Sequence, residues 1–143
     1  MEFWFASPGD QKAIKELLGE CGLPYEDMVP SRVEHFIVAR EDDLLCGVVG
    51  VEIMGKFSLL RSLTVRSNHR NQGVASQLTC RAEAHARSQG VEAVYLLTTT
   101  ADGFFSKRGY ERIDRSAAPA VVQQTTEFCS LCPSAAICMV RHW

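Results

Sequence analysis

Arg70-Asn71-Gln72-Gly73-Val74-Ala75, with Leu63-Thr64-Val65 ahead of it, is the stretch whose reading decides the fold of this chain. Phe57 to Val65 reads as a strand. From Val74 to Gln89 the apolar positions Ala75, Leu78, Ala82 and Ala86 recur at helical spacing, and Gly90 follows as a C-terminal cap. A strand that turns through glycine into a helix leaves backbone N–H groups without partners at the positive end of the helix dipole, where a pyrophosphate can accept them. Gly73 has no Cβ to keep phosphate oxygens off the backbone, and Arg70 adds charge at the same place. An ordinary strand-to-helix turn also accommodates a single glycine, so the hexapeptide alone leaves the two readings even.

Working outward, Phe3 to Ala6 reads as a short strand, and Ser7-Pro8-Gly9-Asp10 opens a helix with apolar residues Ile14, Leu17, Leu18 and Cys21 on one side. Tyr25 to Glu34 is a weaker second helix. Phe36 to Ala39 and Leu44 to Met54, rich in β-branched residues and separated by Glu41-Asp42-Asp43, read as a hairpin, and Gly55-Lys56 turns the chain into Phe57 to Val65. Beyond the main helix come a strand over Ala93 to Thr99, a short helix over Asp102 to Lys107 and a strand near Glu111 to Arg115. Helix is expected within Pro119 to Phe128 and a closing strand over Ala135 to Arg141. The order β-α-α-β-β-β-α-β-α-β-β, with one late helix, has no internal repeat and no linker, so 1–143 reads as a single α/β domain.

The composition is that of an ordinary globular chain, with 46% hydrophobic and 22% charged residues. No export signal or bilayer-length apolar run is present, so a cytoplasmic protein without membrane contact is expected. In that compartment the six cysteines stay reduced and read mostly as small core residues. Residues 56–115 carry ten Lys/Arg against five Asp/Glu, inside a chain of net charge −2. That asymmetry suits a compact anionic ligand; nucleic acid, which calls for a broader basic surface, is not expected as a partner.

The hexapeptide resembles the Arg/Gln-x-x-Gly-x-Gly/Ala motif of the GNAT acyltransferases. Leu63-Thr64-Val65 resembles the coenzyme-binding strand of that family, and Phe104-Phe105-Ser106-Lys107-Arg108-Gly109-Tyr110 its second signature, Phe-Tyr-Glu-Lys-x-Gly-Phe. The resemblance implies a splayed mixed sheet with helices on both faces, and acetyl-CoA entering between Phe57 to Val65 and Ala93 to Thr99. Implied coenzyme contacts are Leu63, Thr64, Val65, Arg70, Asn71, Gln72, Gly73, Val74, Ala75, Ser76, Phe104 and Lys107. The Val65 N–H would serve as the oxyanion donor. More particularly, Leu59 to Leu63 and Glu127 to Ala135 look like a GNAT subfamily associated with arsenic resistance.

These likenesses imply transfer of acetyl to a small amine, amino-acid-like in one version. A CoA-binding sensor without turnover and a thiol-based arsenite binder stand as alternatives. Glu52, the only acidic residue between Asp43 and Glu83, lies in an otherwise apolar strand and is the candidate base; a solvated strand end is the bland alternative. Arg61 and Ser62 are the acceptor-side candidates, expected on opposite faces, with Arg61 holding a carboxylate or pairing with Glu52. His35, His69 and His85 show no orienting partner in sequence. Cys129-x-x-Cys132 with Cys138 falls short of the four ligands of a structural zinc site, so no metal is expected. Phe105 stands where many relatives carry the tyrosine assigned as acid to the CoA thiolate, with Ser106 and Tyr110 as weak substitutes. The oligomeric state is left open between monomer and homodimer.

Overall fold

The computed structural model describes residues 1–21, 35–125, 128 and 136–143. The helix expected over 25–34 and the Cys129 to Ala135 segment lie outside the described residues.

A short edge strand, β1 (Glu2–Phe5), leads through a tight 3-10 turn into α1 (Gln11–Glu20). The hairpin β2 (Phe36–Glu41) and β3 (Leu44–Met54) follows, and then β4 (Phe57–Val65). Asp42 and Asp43 both take positive φ, 51° and 66°, as a two-residue hairpin turn requires. After β4 come α2 (Val74–Ser88), β5 (Ala93–Thr98), α3 (Asp102–Lys107), β6 (Glu111–Ile113), the single turn α4 (Ala120–Gln123) and β7 (Ile137–His142). Ser7-Pro8 does not begin the first helix directly. Pro8–Asp10 forms the 3-10 turn, the Asp10 carboxylate accepts the Ser7 N–H at 2.8 Å, and α1 starts one residue later.

The strands form one mixed sheet in the order β1-β2-β3-β4-β5-β7-β6. The pairs β1 to β4 are antiparallel, β4 and β5 are parallel, and β7 returns between β5 and β6. Strand periodicity sends alternate residues to opposite faces, and both faces are covered. Ile37, Val49, Val51, Leu60, Val94 and Leu96 pack against Leu78, Ala82 and Ala86 of α2. Phe36, Val38 and Val48 pack against Ile14, Leu17 and Leu18 of α1, while Leu59, Tyr95 and Val140 meet Ala118 and Val122 beside α4. Burial of each such aliphatic side chain contributes about 1.5–3 kcal/mol, which is what holds the helices to the sheet. The splayed sheet flanked on both faces is therefore observed.

Two irregularities position the site. The strands β4 and β5 pair only at Phe57, Ser58 and Leu59, against Ala93, Val94 and Tyr95, and part beyond them. Within the parted stretch β4 carries a bulge. Val48 faces Thr64 but Gly50 faces Arg61, so β4 spends one residue more than β3, and Ser62 takes a φ of 60°.

Candidate active site

The gap between the parted strands is a cleft of about 970 Å³, at the upper end of the roughly 300–1,000 Å³ usual for ligand clefts. Its walls are Leu60 to Val65 on β4 and Leu96 to Ala101 at the end of β5. Its far end is closed by Gly73 to Ser76 at the start of α2, with Arg70 and Asn71, and its rim by Phe104 and Phe105 of α3. The structure thus brings Arg61, Ser62, Leu63, Thr64, Val65, Arg70, Asn71, Gly73, Val74, Ala75, Ser76 and Phe104 to one cleft. Gln72 and Lys107 are exposed, and neither they nor Glu52 belong to its described lining.

At the far end the first intrahelical bond of α2 runs from the Gln77 N–H to the Gly73 carbonyl at 3.1 Å. The N–H groups of Val74, Ala75 and Ser76 precede it and have no intrahelical acceptor, and no side chain caps them. Gly73 sits at φ 80°, and a Cβ there would meet nothing within 4 Å. Two features of the cradle thus depend on glycine: a left-handed backbone and open space above it.

Along the β4 wall the pairing decides which groups face the cleft. The Arg66 N–H donates to the Cys46 carbonyl at 2.7 Å, which makes that pair a hydrogen-bonded one. Val65, one residue earlier and opposite Gly47, therefore turns its N–H and C=O away from β3 and toward the cleft. Arg70 Nε donates to the Val65 carbonyl at 3.0 Å, so this arginine braces the strand end in addition to lending charge, and the Val65 N–H is left facing the cleft. The Thr64 hydroxyl, also on the lining, is buried without a hydrogen-bond partner among the described residues.

The bulge changes the relation between Arg61 and Ser62. Strict alternation would point them apart, but with Ser62 in the left-handed region Arg61 Nε donates to Ser62 Oγ at 3.0 Å, and both line the cleft. The Arg61 side chain has no exposed surface; its guanidinium lies 3.4 Å from Glu52 Oε2 and 5.9 Å from the centre of the Phe36 ring. Gly50 makes room for that ring, since a Cβ there would lie 2.4 Å from Phe36. Glu52 is accordingly the counter-ion of a buried arginine, with one fifth of its side chain still exposed.

Phe105 is buried between Phe104 and Tyr110, with ring centres 5.1 and 5.3 Å away. Tyr110 is buried too, and its hydroxyl donates to Glu83 at 2.8 Å. Burial first, and the Glu83 carboxylate second, push its pKa far above the ordinary tyrosine value, so Tyr110 is no proton donor to the cleft. Glu83 also accepts from Arg108 and Arg141, each at 3.1 Å, fastening α2 to β7 and to the turn before β6. Sequence reading missed this cluster, whose members stand 25 to 58 residues from Glu83. It also missed Thr98, whose hydroxyl accepts the Ala101 N–H at 2.9 Å and shapes the cleft wall after β5. A run of three threonines ahead of a short helix was the available signal. Cys138 lies in the core against Leu59 and Tyr95, where burial pushes its thiol up to about 11.

Residues 32–112 match the acetyltransferase (GNAT) domain family. The chain belongs to the GNAT acetyltransferase family. It is similar, at 31% identity over 121 residues, to an uncharacterized N-acetyltransferase of Chlorobaculum tepidum, covering 82% of this chain and 76% of that one. An amino-acid acetyltransferase of Ectopseudomonas mendocina is 27% identical over 96 residues, which cover 66% of this chain but 22% of that enzyme. Among solved structures, the Mycobacterium tuberculosis protein Rv2747 in complex with CoA and NLQ superposes with a TM-score of 0.84 at 20% identity, covering 100% of this chain and 99% of that one. N-acetylglutamate synthase from Neisseria gonorrhoeae, complexed with coenzyme A and N-acetyl-glutamate, gives 0.85 at 18% identity, covering 99% of this chain and 34% of that protein. The GNAT chain is thus an N-acetyltransferase of a family that draws on acetyl-CoA. No helix among the described residues is long and apolar enough to cross a membrane.

Proposed function

We propose that this GNAT domain moves the acetyl group of acetyl-CoA directly onto the amine of a small, carboxylate-bearing, amino-acid-like acceptor. The observation that carries the reading is the β4 edge, parted from β5, with Val65 turned into a cleft that ends on the open N-terminus of α2. Pantetheine amides add to that edge as another strand would, and the pyrophosphate takes the N–H groups of Val74 to Ser76. The acetyl carbonyl then meets the Val65 N–H, which stabilises the oxyanion as the amine attacks. The Ser62 hydroxyl, held by Arg61 Nε, offers a donor for a carboxylate, with the buried Arg61 charge behind it. The names of the amino-acid acetyltransferase and of the acetyl-glutamate complex support the same acceptor class.

In the transfer a C–N bond forms and the thioester C–S bond breaks. The amine proton passes to Glu52, through solvent at its exposed side, and the thiolate leaves without a dedicated side-chain acid. A thiol pKa of about 8.5 makes that departure feasible. The chemistry needs no metal. The likeness of Leu59 to Leu63 and Glu127 to Ala135 to the arsenic-resistance subfamily supports a detoxification setting in the cytoplasm, with a monomer or homodimer as the working form.

One observation favours a second reading, a CoA-binding sensor: Phe105 and Tyr110 are both buried, and neither supplies an acid. Thiol release from acetyl-CoA over a panel of amines, with and without a carboxylate, separates the two. Turnover preferring carboxylated amines is the expected result. Tight CoA binding with no thiol release from any amine would establish the sensor instead.

A further inference from the structure

We propose that Glu41, Cys46 and His69 form a binding site for one zinc-class divalent cation, at the foot of the turn that leads into Arg70 and Gly73. Three elements meet there. Glu41 ends β2, Cys46 stands on β3 beside the hairpin turn, and His69 closes the 3-10 turn Ser67–His69 after β4. Their ligand atoms, one each, lie within 4.8 Å of one another. The fold places them there by a bulge in the β2 and β3 pairing. Ala39 faces Gly47 but Arg40 faces Leu45, so Cys46 is the extra residue on its strand. Bulges re-aim side chains in this way.

The histidine is oriented as a ligand histidine is. Asn68 Oδ1 lies 2.8 Å from Nδ1, an arrangement that suits the tautomer with its proton on Nδ1 and Nε2 free to ligate. That lone pair faces Glu41 Oε2 at 3.3 Å. Two acceptors at that distance need a positive charge between them, either a proton on the ring or a cation. The Cys46 thiol donates to the Leu44 carbonyl at 3.3 Å, and a metal ion taking the place of that proton would gather all three groups. In a tetrahedral zinc site, ligand atoms stand roughly 3.2–3.6 Å apart, given bonds of about 2.0–2.3 Å. The Glu41–His69 edge already has that length, and Cys46 Sγ closes on it by a small side-chain shift. An acid, an imidazole and a buried thiol form a donor set for zinc or cobalt rather than for magnesium or calcium. Binding releases the Cys46 thiol proton to solvent and leaves the fourth position to water. The neighbouring Arg66 is held elsewhere, its Nε bonded to the Leu45 carbonyl and its Nη1 3.4 Å from Glu20. His69 also lines the far end of the cleft beside Arg70, so the ion would fasten the hairpin to the turn that leads into Arg70 and Gly73.

The test is titration of metal-stripped protein with Co²⁺, followed by Zn²⁺ competition. It is run in a Cys129→Ala/Cys132→Ala background, so that those two thiols cannot supply the signal. One equivalent is expected, with a thiolate-to-cobalt charge-transfer absorption that Zn²⁺ abolishes. His69→Gln and Glu41→Gln should each weaken binding by more than about tenfold, and Asn68→Ala by about tenfold through the loss of ring orientation. Loss of all binding with Cys129 and Cys132, or binding unchanged by His69→Gln, overturns the proposal.

Discussion

Replacing Gly73 by alanine separates backbone strain from everything else in the turn where we place the coenzyme. At φ 80° the residue is left-handed, and nothing within 4 Å obstructs a new Cβ, so the change introduces strain and no clash. Left-handed backbone costs an L-residue about 1–2 kcal/mol. If the turn keeps its shape, stability falls by that amount. If it relaxes, the N–H groups of Val74 to Ser76 lose their aim and coenzyme affinity falls by up to the same energy, about 5- to 30-fold. Gly73→Val adds a branched side chain in the open space above the turn, where we place the phosphate, and should abolish CoA binding in a folded protein. Gly90 supplies the control, with φ 86°, equally open surroundings and a position at the opposite end of α2. Gly90→Ala should lose about 1–2 kcal/mol of stability and keep its CoA affinity. Calorimetric titration with CoA beside urea unfolding reads both quantities. Wild-type CoA affinity in folded Gly73→Val, or an equal loss in Gly90→Ala, would refute the cradle.

Glu52→Gln should lower kcat while leaving the CoA dissociation constant unchanged; a kcat equal to that of wild type would remove Glu52 from proton transfer. Phe105→Tyr should change kcat by less than about tenfold, well below the 10²–10⁴ of general acid catalysis, and activity gained from an inactive parent would instead identify a binding module. Tyr110→Phe should cost about 1–3 kcal/mol in urea unfolding, through the lost bond to Glu83, and leave kcat in place. His85 is held below its usual pKa by burial first and by His35 second. The unfolded chain therefore takes up the proton first, so stability is complete above about pH 6.5 and falls as the pH drops below it. Thermal unfolding from pH 8 to pH 5 should show that fall in wild type and less of it in His85→Phe.

The secondary structure is legible in the sequence because period and punctuation are local. Asp102 to Lys107 and Phe57 to Val65 have the expected bounds, since Gly55, Gly109 and the Asp42-Asp43 turn fix where the chain reverses. The bulge at Ser62 was not legible, because serine in a strand gives no sign of positive φ, and this one residue brings Arg61 and Ser62 together. The cleft wall formed by β4 and the start of α2 was legible because its residues lie in one continuous stretch from Leu63 to Ser76. The acceptor side was less so. Glu52 could be singled out as a lone acid, but its pairing with Arg61 depends on the β3 and β4 register. The Glu83 network and the Glu41, Cys46 and His69 cluster arise from contacts between distant segments, for which the sequence has no period to display.

Mechanically, the seam between β4 and β5 divides the sheet into two plates. Strands β1 to β4 form one and β5, β7 and β6 the other, and three residue pairs at one end of the seam are the backbone weld between them. A weld confined to one end resists separation there and little torsion at the other. Across the open end, Leu60 and Leu96 share the core cluster of Leu78, Ala82 and Ala86 on α2, and these contacts carry the load. A coenzyme laid along the seam, as we propose, would act as a second weld at the opposite end. Saturation at a hundred times the dissociation constant adds about 2.7 kcal/mol to stability. That stiffness should be localised, so amide exchange should slow on the facing edges of β4 and β5 together, and hardly at all on β1.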